Sequence, residues 1–424
     1  MDELRVLHAA DLHVDSPMRG LVAYDGAPVD EIRAATRTAL RALVSEAIDR
    51  QIHLLLLAGD LYDGSWRDYN TGLFVVSQLA ELHEAGIPVV IAYGNHDAES
   101  QLTRRLHLPP NTTVLSSTKP ETHVFSDLGV AVHGQSYATR AIEADLSLAY
   151  PKADPGLVNI GMLHTCFDGS LGHDPYAPCA LTGLRSKGYD YWALGHVHDH
   201  RVVCEDPMVV FPGNLQGRHI RETGPKGATL VSFVDHEPSI EQLTFDIVRW
   251  ERCRVDVTGA RSLDECLARC REELLGLSAT GSMTYAVRVE LAGPSSLNGP
   301  LRARSEEIAN EVRALSLSLD GRDVWVEKVV VATTPLTGRP VLEADGVAGE
   351  IGQVLADLKA DVSMLASGDG SRIPSLAALR SQLRAASSAD LGDVLDDAEI
   401  ALALDDAAEL LATLLSREEI ENAH

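Results

Sequence analysis

The chain has 424 residues, 45% of them hydrophobic, and 62 Asp and Glu against 36 Lys and Arg give a formal net charge of −26. That length exceeds one typical domain, so two or three are expected, and the apolar fraction is ordinary for a globular protein. The charge argues against the broad basic groove of most nucleic-acid binders, and no apolar run approaches the ~20 residues of a membrane-spanning helix.

Residues 4–10 (Leu-Arg-Val-Leu-His-Ala-Ala) read as a buried strand, followed by an amphipathic helix over about 30–50. A second apolar strand over 53–58 leads into a helix near 68–85, which Gly86-Ile87-Pro88 closes, and 89–92 form a third strand. Strands alternating with helices imply βαβ units and a largely parallel sheet. From about 122 the strands become short and close together, near 122–125, 130–133, 157–163, 190–194, 201–204, 208–211, 228–234 and 240–245. This spacing predicts a second, mixed sheet packed on the first. The fold class expected is α/β: a sandwich of two mixed sheets flanked by helices over 1–248, with a small α/β cap domain over 251–334 and a helical C-terminus over 341–424. The cap reads strand, helix, strand, helix, strand, and Pro335 to Pro340 reads as a linker. The C-terminal region carries 17 acidic against 5 basic residues, and Leu391 to Ile420 alternates Leu/Ala with Asp/Glu at helical spacing, which suits packing on a partner helix or folding back.

Five polar clusters each follow an apolar run directly: Asp11-Leu12-His13, Gly59-Asp60-Leu61-Tyr62-Asp63, Gly94-Asn95-His96-Asp97, Leu163-His164-Thr165 and Gly195-His196-Val197-His198. Each offers a carboxylate, amide oxygen or imidazole, and the ends of parallel strands converge on the ligand site in α/β proteins. Taken singly, the bland readings win: Asp-x-His is more often a cap, Asn-His-Asp reads as a turn, and the alternating His196 and His198 would share one face of a regular strand. Together they predict one shared metal centre. Two divalent ions about 3.5–4 Å apart clamp a displacement at phosphorus, and such a centre needs one bridging carboxylate with imidazole and amide ligands around it. His8, inside the first strand, reads as core. The six cysteines form no Cys-x-x-Cys pair, so a zinc knuckle is not expected.

In that order and spacing, over residues 4 to about 245, the clusters resemble the calcineurin-like metallophosphoesterases. Ala9 to Pro17 and Pro212 to His219, with a cap domain and helical tail, resemble more specifically the bacterial SbcD/YhaO-type DNA repair exonucleases. The resemblance implies one metal held by Asp11, His13, Asp60 and His198 and another by Asp60, Asn95, His164 and His196, with Asp60 bridging. It implies two divalent ions, manganese being the family's usual one, and a bridging hydroxide that attacks phosphorus. His96 would contact the phosphate and protonate the leaving oxygen, a role suited to a group titrating near neutral pH. Some double-strand-break nucleases of this family carry a second histidine where this chain has Asp63, a carboxylate placed to orient His96 or a ligand imidazole. Arg218 and His219 are candidates for contacting a DNA phosphate, and Asp15 and Ser16 for supporting the first ligands.

The reading that follows is a metal-dependent DNA exonuclease or endonuclease of repair type. Its implied partners are DNA and an SbcC-like SMC coiled-coil ATPase docked by the C-terminal helices, with a homodimer plausible. No membrane association is expected, and with no signal-peptide pattern at Met1-Asp2-Glu3 the cytoplasm is the expected compartment. The alternatives are a phosphodiesterase or phosphatase on a nucleotide or other small molecule, which fits the acidic charge more easily, and a scaffold that keeps the fold without catalysis.

Overall fold

The computed structural model describes residues 3–16, 28–63, 69–99, 106–167, 177–277, 283–319 and 323–335. The helices expected over 341–424 and the linker before them lie outside the described residues.

The first strands and helices are β1 (Leu4–Ala9), α1 (Val29–Asp49), β2 (Leu54–Ala58), α2 (Tyr69–Glu84), β3 (Val89–Ala92), α3 (Asn95–Glu99) and β4 (Thr112–Val114). There follow β5 (Glu121–Phe125), β6 (Val130–Gly134), β7 (Val158–His164), α4 (Leu181–Arg185), β8 (Tyr191–Gly195), β9 (His200–Glu205) and β10 (Met208–Pro212). The body closes with β11 (Gly227–Val234) and β12 (Glu237–Thr244). One six-stranded sheet has the order β12-β11-β1-β2-β3-β4, and the other β5-β6-β7-β8-β10-β9. In the first, β1 to β4 are parallel, and β11 and β12 continue the sheet antiparallel. In the second, β6, β7, β8 and β10 are parallel, with β5 and β9 antiparallel at the edges. This is the expected sandwich of mixed sheets.

Its layers follow from strand periodicity. Side chains on successive strand residues point to opposite faces. Val6, Leu54, Leu56, Ala58, Val90 and Ala92 of the first sheet therefore meet Val132, Ile160, Met162, Tyr191, Ala193 and Val210 of the second in a dry middle layer. Leu7, Ala9, Leu55, Leu57, Val89 and Ile91 point the other way, onto Ala39, Leu43 and Val44 of α1 and Val75 and Leu79 of α2. On the far side of the second sheet, Trp192, Leu194, Val209 and Phe211 pack with Tyr150, Leu184 and Tyr189. Both faces of the central strands are covered, which explains their near-continuous apolar sequence.

Further on lie β13 (Val248–Asp256), α5 (Leu263–Leu277), β14 (Thr284–Ser295), α6 (Asn298–Ala303), α7 (Ser305–Leu317) and β15 (Val324–Pro335), with the sheet order β13-β14-β15. The expected single helix over 302–315 is two, α6 and α7. The chain divides into two compact units: Met1–Arg252 with Gly276–Arg288 and Leu319–Glu327, and Cys253–Leu275 with Val289–Ser318 and the chain from Lys328. In the first, Trp250, Val248 and Ala286 pack with Ile32, Ala35 and Ile220. In the second, Cys253, Cys266 and Cys270 are buried free thiols.

Candidate metal centre

Every cluster singled out in the sequence lies at or just past the end of a strand of the first unit, and several of the turns that carry them are conformationally specialised. Asp11, His13, Asp60 and His196 have φ values of +52°, +40°, +53° and +103°. Non-glycine residues rarely occupy that region, and such strain concentrates at functional sites where the surrounding structure holds it. Two of the turns need glycine for space. A Cβ on Gly94 would lie 2.3 Å from Asp60 Oδ1, and one on Gly195 would lie 1.9 Å from the Ala58 carbonyl oxygen.

The ligand-type side chains gather in adjoining groups. Asp11, His13 and His198 form one, Asp60, His164 and His196 a second, and His13, Asp63 and His96 a third; within each, the ligand atoms all lie within 4.8 Å of one another. Asn95 joins the second group, its Oδ1 being 2.9 Å from His164 Nε2. Asp60 Oδ2 is 3.3 Å from the same nitrogen, while Asp60 Oδ1 accepts from the His96 backbone N–H at 2.9 Å. All nine residues named for metal binding or catalysis are thus brought to one place. The two alternating histidines separate, however. Strand β8 ends at Gly195 and His196 adopts a positive φ, so His196 turns to Asp60 and His198 to Asp11; the shared strand face does not arise.

The donor set fits divalent cations. His13 Nε2 and His198 Nε2 face each other at 3.3 Å, which satisfies both rings only if one carries the proton or both lone pairs share a cation. Asp11 Oδ1 and His13 Nδ1 are buried without a hydrogen-bond partner. Burial holds the His13 ring well below its ordinary pKa, with Arg218 and His96 adding to the effect, so its lone pair is available. For His164, burial lowers the pKa but the Asp60 carboxylate raises it more, to about 9. Burial alone would raise the Asp60 pKa, yet the His164 ring outweighs it and holds the carboxyl well below the usual range. These two groups stand as an ion pair that a cation would replace. Oxygen and imidazole ligands suit first-row divalent ions in general.

Neighbouring groups fix the orientation of the ligands. His164 Nδ1 lies 3.0 Å from the Ala58 carbonyl, which makes it the donor and leaves Nε2 as the ligand atom. The His196 backbone N–H donates to Asp11 Oδ2 at 2.9 Å. Asp97 accepts from the backbone N–H groups of Leu61, Tyr62 and Gly94 at 3.2, 3.1 and 3.1 Å, tying the Asp60 turn to the Asn95 turn. Burial and the charge of Asp60 push its pKa up to about 7. Ser16 donates to Asp63 Oδ2 at 2.7 Å, as a supporting group should. Asp15 instead accepts from Arg37 of α1 at 2.7 Å and from Thr71 of α2, so it braces the helix layer. His8 is buried between Tyr191 and the Leu194 carbonyl, and burial lowers its pKa to about 3, a core histidine as expected.

His96 Nδ1 lies 3.1 Å from Asp63 Oδ1, and the His96 side chain is 18% exposed. Burial would lower its pKa, but the contact with Asp63 and the charge of Asp60 outweigh it and raise it. A partly open imidazole whose protonated form Asp63 favours lies beside these groups, placed to donate a proton to an incoming anion. The residues expected at a DNA phosphate lie differently from one another. Arg218 is turned inward, its Nη2 2.9 Å from Glu222 Oε1 and its Nη1 3.9 Å from Asp63 Oδ2. His219 is 47% exposed. Glu222, 5% exposed and 2.7 Å from His198 Nδ1, was not singled out by sequence reasoning. Its one sequence signal is the i,i+4 spacing from Arg218, which favours an ion pair.

Residues 4–200 match the family model described as calcineurin-like phosphoesterase, and residues 250–334 match that described as metallophosphoesterase YhaO, middle domain. The chain is 36% identical over 297 residues to a Bacillus subtilis protein named uncharacterized metallophosphoesterase YhaO, covering 69% of this chain and 72% of that protein. It is 24% identical over 302 residues to a Methanopyrus kandleri protein named DNA double-strand break repair protein Mre11, covering 63% of this chain and 62% of that one. A Sulfurisphaera tokodaii protein of the same name is 24% identical over 262 residues, covering 58% and 64%. The chain thus spans less than two thirds of the length of either Mre11 protein.

Proposed function

The chain belongs to the calcineurin-like phosphoesterase family, and from that premise we propose that it is a two-metal phosphodiester hydrolase acting on DNA in repair. Phosphoester hydrolysis at a divalent-metal site is the family's activity. The further steps, to DNA as substrate, Mn2+ as the ion and an SMC-like ATPase as partner, rest on the resemblance set out above and on the similarity to the two Mre11 proteins. The single observation that carries the chemistry is the third ligand group. His96, backed by Asp63, stands at the edge of the Asp11 and Asp60 groups with part of its ring open.

Asp11, His13 and His198 would hold one ion and Asn95, His164 and His196 the other, with Asp60 between. Bound divalent ions would supply Lewis-acid stabilisation of charge on the phosphate. Without them the carboxylates of Asp11, Asp60, Asp63 and Glu222 are paired with Arg218 and with the raised-pKa rings of His164 and His198, so those cations serve the carboxylates rather than a phosphate. Asp63 favours the protonated form of His96 and aims its ring, and His96 would pass a proton to the leaving oxygen. The backbone hydrogen bond from the His96 N–H to Asp60 Oδ1 ties the proton donor to the carboxylate that would bridge the ions.

The net charge of −26 favours a second reading, a small phosphodiester such as a cyclic nucleotide. The test is cleavage of linear double-stranded and single-stranded DNA with and without Mn2+, beside an Asn95→Ala/His96→Ala variant, with cyclic nucleotides assayed on the same preparations. Metal-dependent DNA cleavage that the variant loses is the expected result. Turnover of a small phosphodiester with intact DNA would overturn the DNA reading in favour of the second.

A further inference from the structure

Residues 214–226, which follow β10, hold His198 at both its ring and its backbone. At the ring, Glu222 Oε1 lies 2.7 Å from His198 Nδ1. At the backbone, Lys226 Nζ donates to the His198 carbonyl oxygen at 2.9 Å, and the Asn214 N–H donates to the same oxygen at 3.3 Å. The second oxygen of Glu222 is also occupied. It accepts from Asn214 Nδ2 at 3.0 Å and from the Arg218 backbone N–H at 2.7 Å. Gly217 leaves room for this turn, since a Cβ there would come within 2.7 Å of the Glu222 carbonyl oxygen. The carboxylate is therefore immobilised on both oxygens before it meets the imidazole.

Arg218 extends this arrangement across the site. Its Nη2 contacts Glu222 Oε1 and its Nη1 lies 3.9 Å from Asp63 Oδ2, while Asp63 Oδ1 lies 3.1 Å from His96 Nδ1. A continuous chain of charged groups thus runs His198, Glu222, Arg218, Asp63, His96. We propose that Glu222 is the positioning residue of this centre: it fixes the His198 ring with Nε2 towards Asp11 and His13, and it holds Arg218 so that Asp63 stays on His96. The inference rests on His198 being a metal ligand, and not on DNA being the substrate.

The physical case is specific. A carboxylate on the far nitrogen of a ligating imidazole fixes the tautomer, locks the ring orientation and raises ligand basicity. Without Glu222 the His198 ring loses the carboxylate that fixes its tautomer, and Arg218 is left buried beside Asp63. Arg218 would then draw Asp63 away from His96. Removing Glu222 should accordingly weaken one metal site and, separately, disarm the proton donor.

The experiment uses the full chain and Mn2+ alone as the probe, with free Mn2+ read by its paramagnetic resonance signal during titration. Wild type is compared with Glu222→Gln, Glu222→Ala, His198→Ala and the His198→Ala/Glu222→Ala double variant. Glu222→Ala should weaken one of the two Mn2+ sites about 10–100-fold and leave the other unchanged. Glu222→Gln preserves the shape and one acceptor, so it should fall between and serves if the alanine variant does not fold. In the His198→Ala background, loss of Glu222 should change Mn2+ affinity less than about 3-fold, because the two residues act as one unit. Unchanged Mn2+ constants in both Glu222 variants would overturn the proposal. So would a loss of equal size with and without His198, which is what a merely structural glutamate gives. Failure of the wild type to bind Mn2+ would overturn the metal reading itself, an outcome distinct from Mn2+ binding that ignores Glu222.

Discussion

Gly94→Ala adds one methyl group where the chain turns closely against Asp60. The new Cβ would sit 2.3 Å from Asp60 Oδ1 and 2.9 Å from both Asp60 N and His164 Cε1. The first of these is about 1 Å short of ordinary van der Waals contact, so the Asp60 carboxylate must move by roughly that much. Asp60 cannot retreat without breaking its contacts to His164 Nε2 and the His96 backbone N–H, at 3.3 and 2.9 Å. The His164 ring cannot yield easily either, because it is pinned to the Ala58 carbonyl and fully buried. Overpacking of a filled site costs about 1–3 kcal/mol. A misplacement of about 1 Å in a catalytic group costs about 100-fold in rate. The assays are thermal unfolding of the metal-free protein, Mn2+ stoichiometry, and hydrolysis of a model phosphodiester such as bis(p-nitrophenyl) phosphate. The variant is expected to unfold a few degrees lower, to bind fewer than two ions tightly, and to turn over at least an order of magnitude more slowly. Gly94→Ala protein with wild-type stoichiometry and rate would refute the argument that Asp60 is wedged against this turn.

His96→Ala should lower kcat by about 10²–10⁴-fold while metal content by mass spectrometry stays at the wild-type value; a parallel loss of metal would mean that His96 is a ligand and not the proton donor. Metal loading should release protons. His164 and His198 are each raised to about 9 in the metal-free centre, the former by Asp60 and the latter by Glu222 after burial is outweighed, so both carry protons at pH 7. Calorimetry in two buffers of different ionisation heat should show that release, and Mn2+ affinity should rise between pH 6 and 9; a pH-independent affinity would contradict it. The same shifts set a sign for the metal-free fold. A histidine whose folded pKa is raised contributes its stability fully below the unfolded value near 6.5. That contribution is lost as pH rises through about 9, so the metal-free protein should unfold more easily at pH 9 than at pH 6. Mn2+ at about 100 times its dissociation constant should add about 2.7 kcal/mol per site, read as a rise in Tm that chelator reverses. Asp97→Ala would orphan the buried N–H groups of Leu61, Tyr62 and Gly94, at about 1–3 kcal/mol for each, and denaturant unfolding should register a loss larger than that of any surface substitution.

What the sequence made legible is what strand geometry delivers without long-range information. The ligands follow apolar runs, parallel strands end on one side, and so Asp11, Asp60, Asn95 and His164 had to converge. The bland readings of single clusters fail for one cause, which is that turns past strand ends do not keep the strand's period. His196 and His198 have period-two spacing, yet the backbone leaves the strand at Gly195 and sends the rings to different groups. Asn95-His96-Asp97 has the composition of a turn, yet it opens the short helix α3. Asp97 there reaches back to Gly94, Leu61 and Tyr62, and two of those partners lie 35 and 36 residues earlier in the chain. Glu222 is the extreme case. It lies 24 residues from His198 in a stretch with no apolar periodicity, and only the pairing of β10 beside β8 brings it to the ring. Arg218 shows the converse, a cation that composition places on a phosphate and that two buried carboxylates hold inward instead. Ligands can be read one strand end at a time, whereas the groups that aim them can be read only after the sheet order is known.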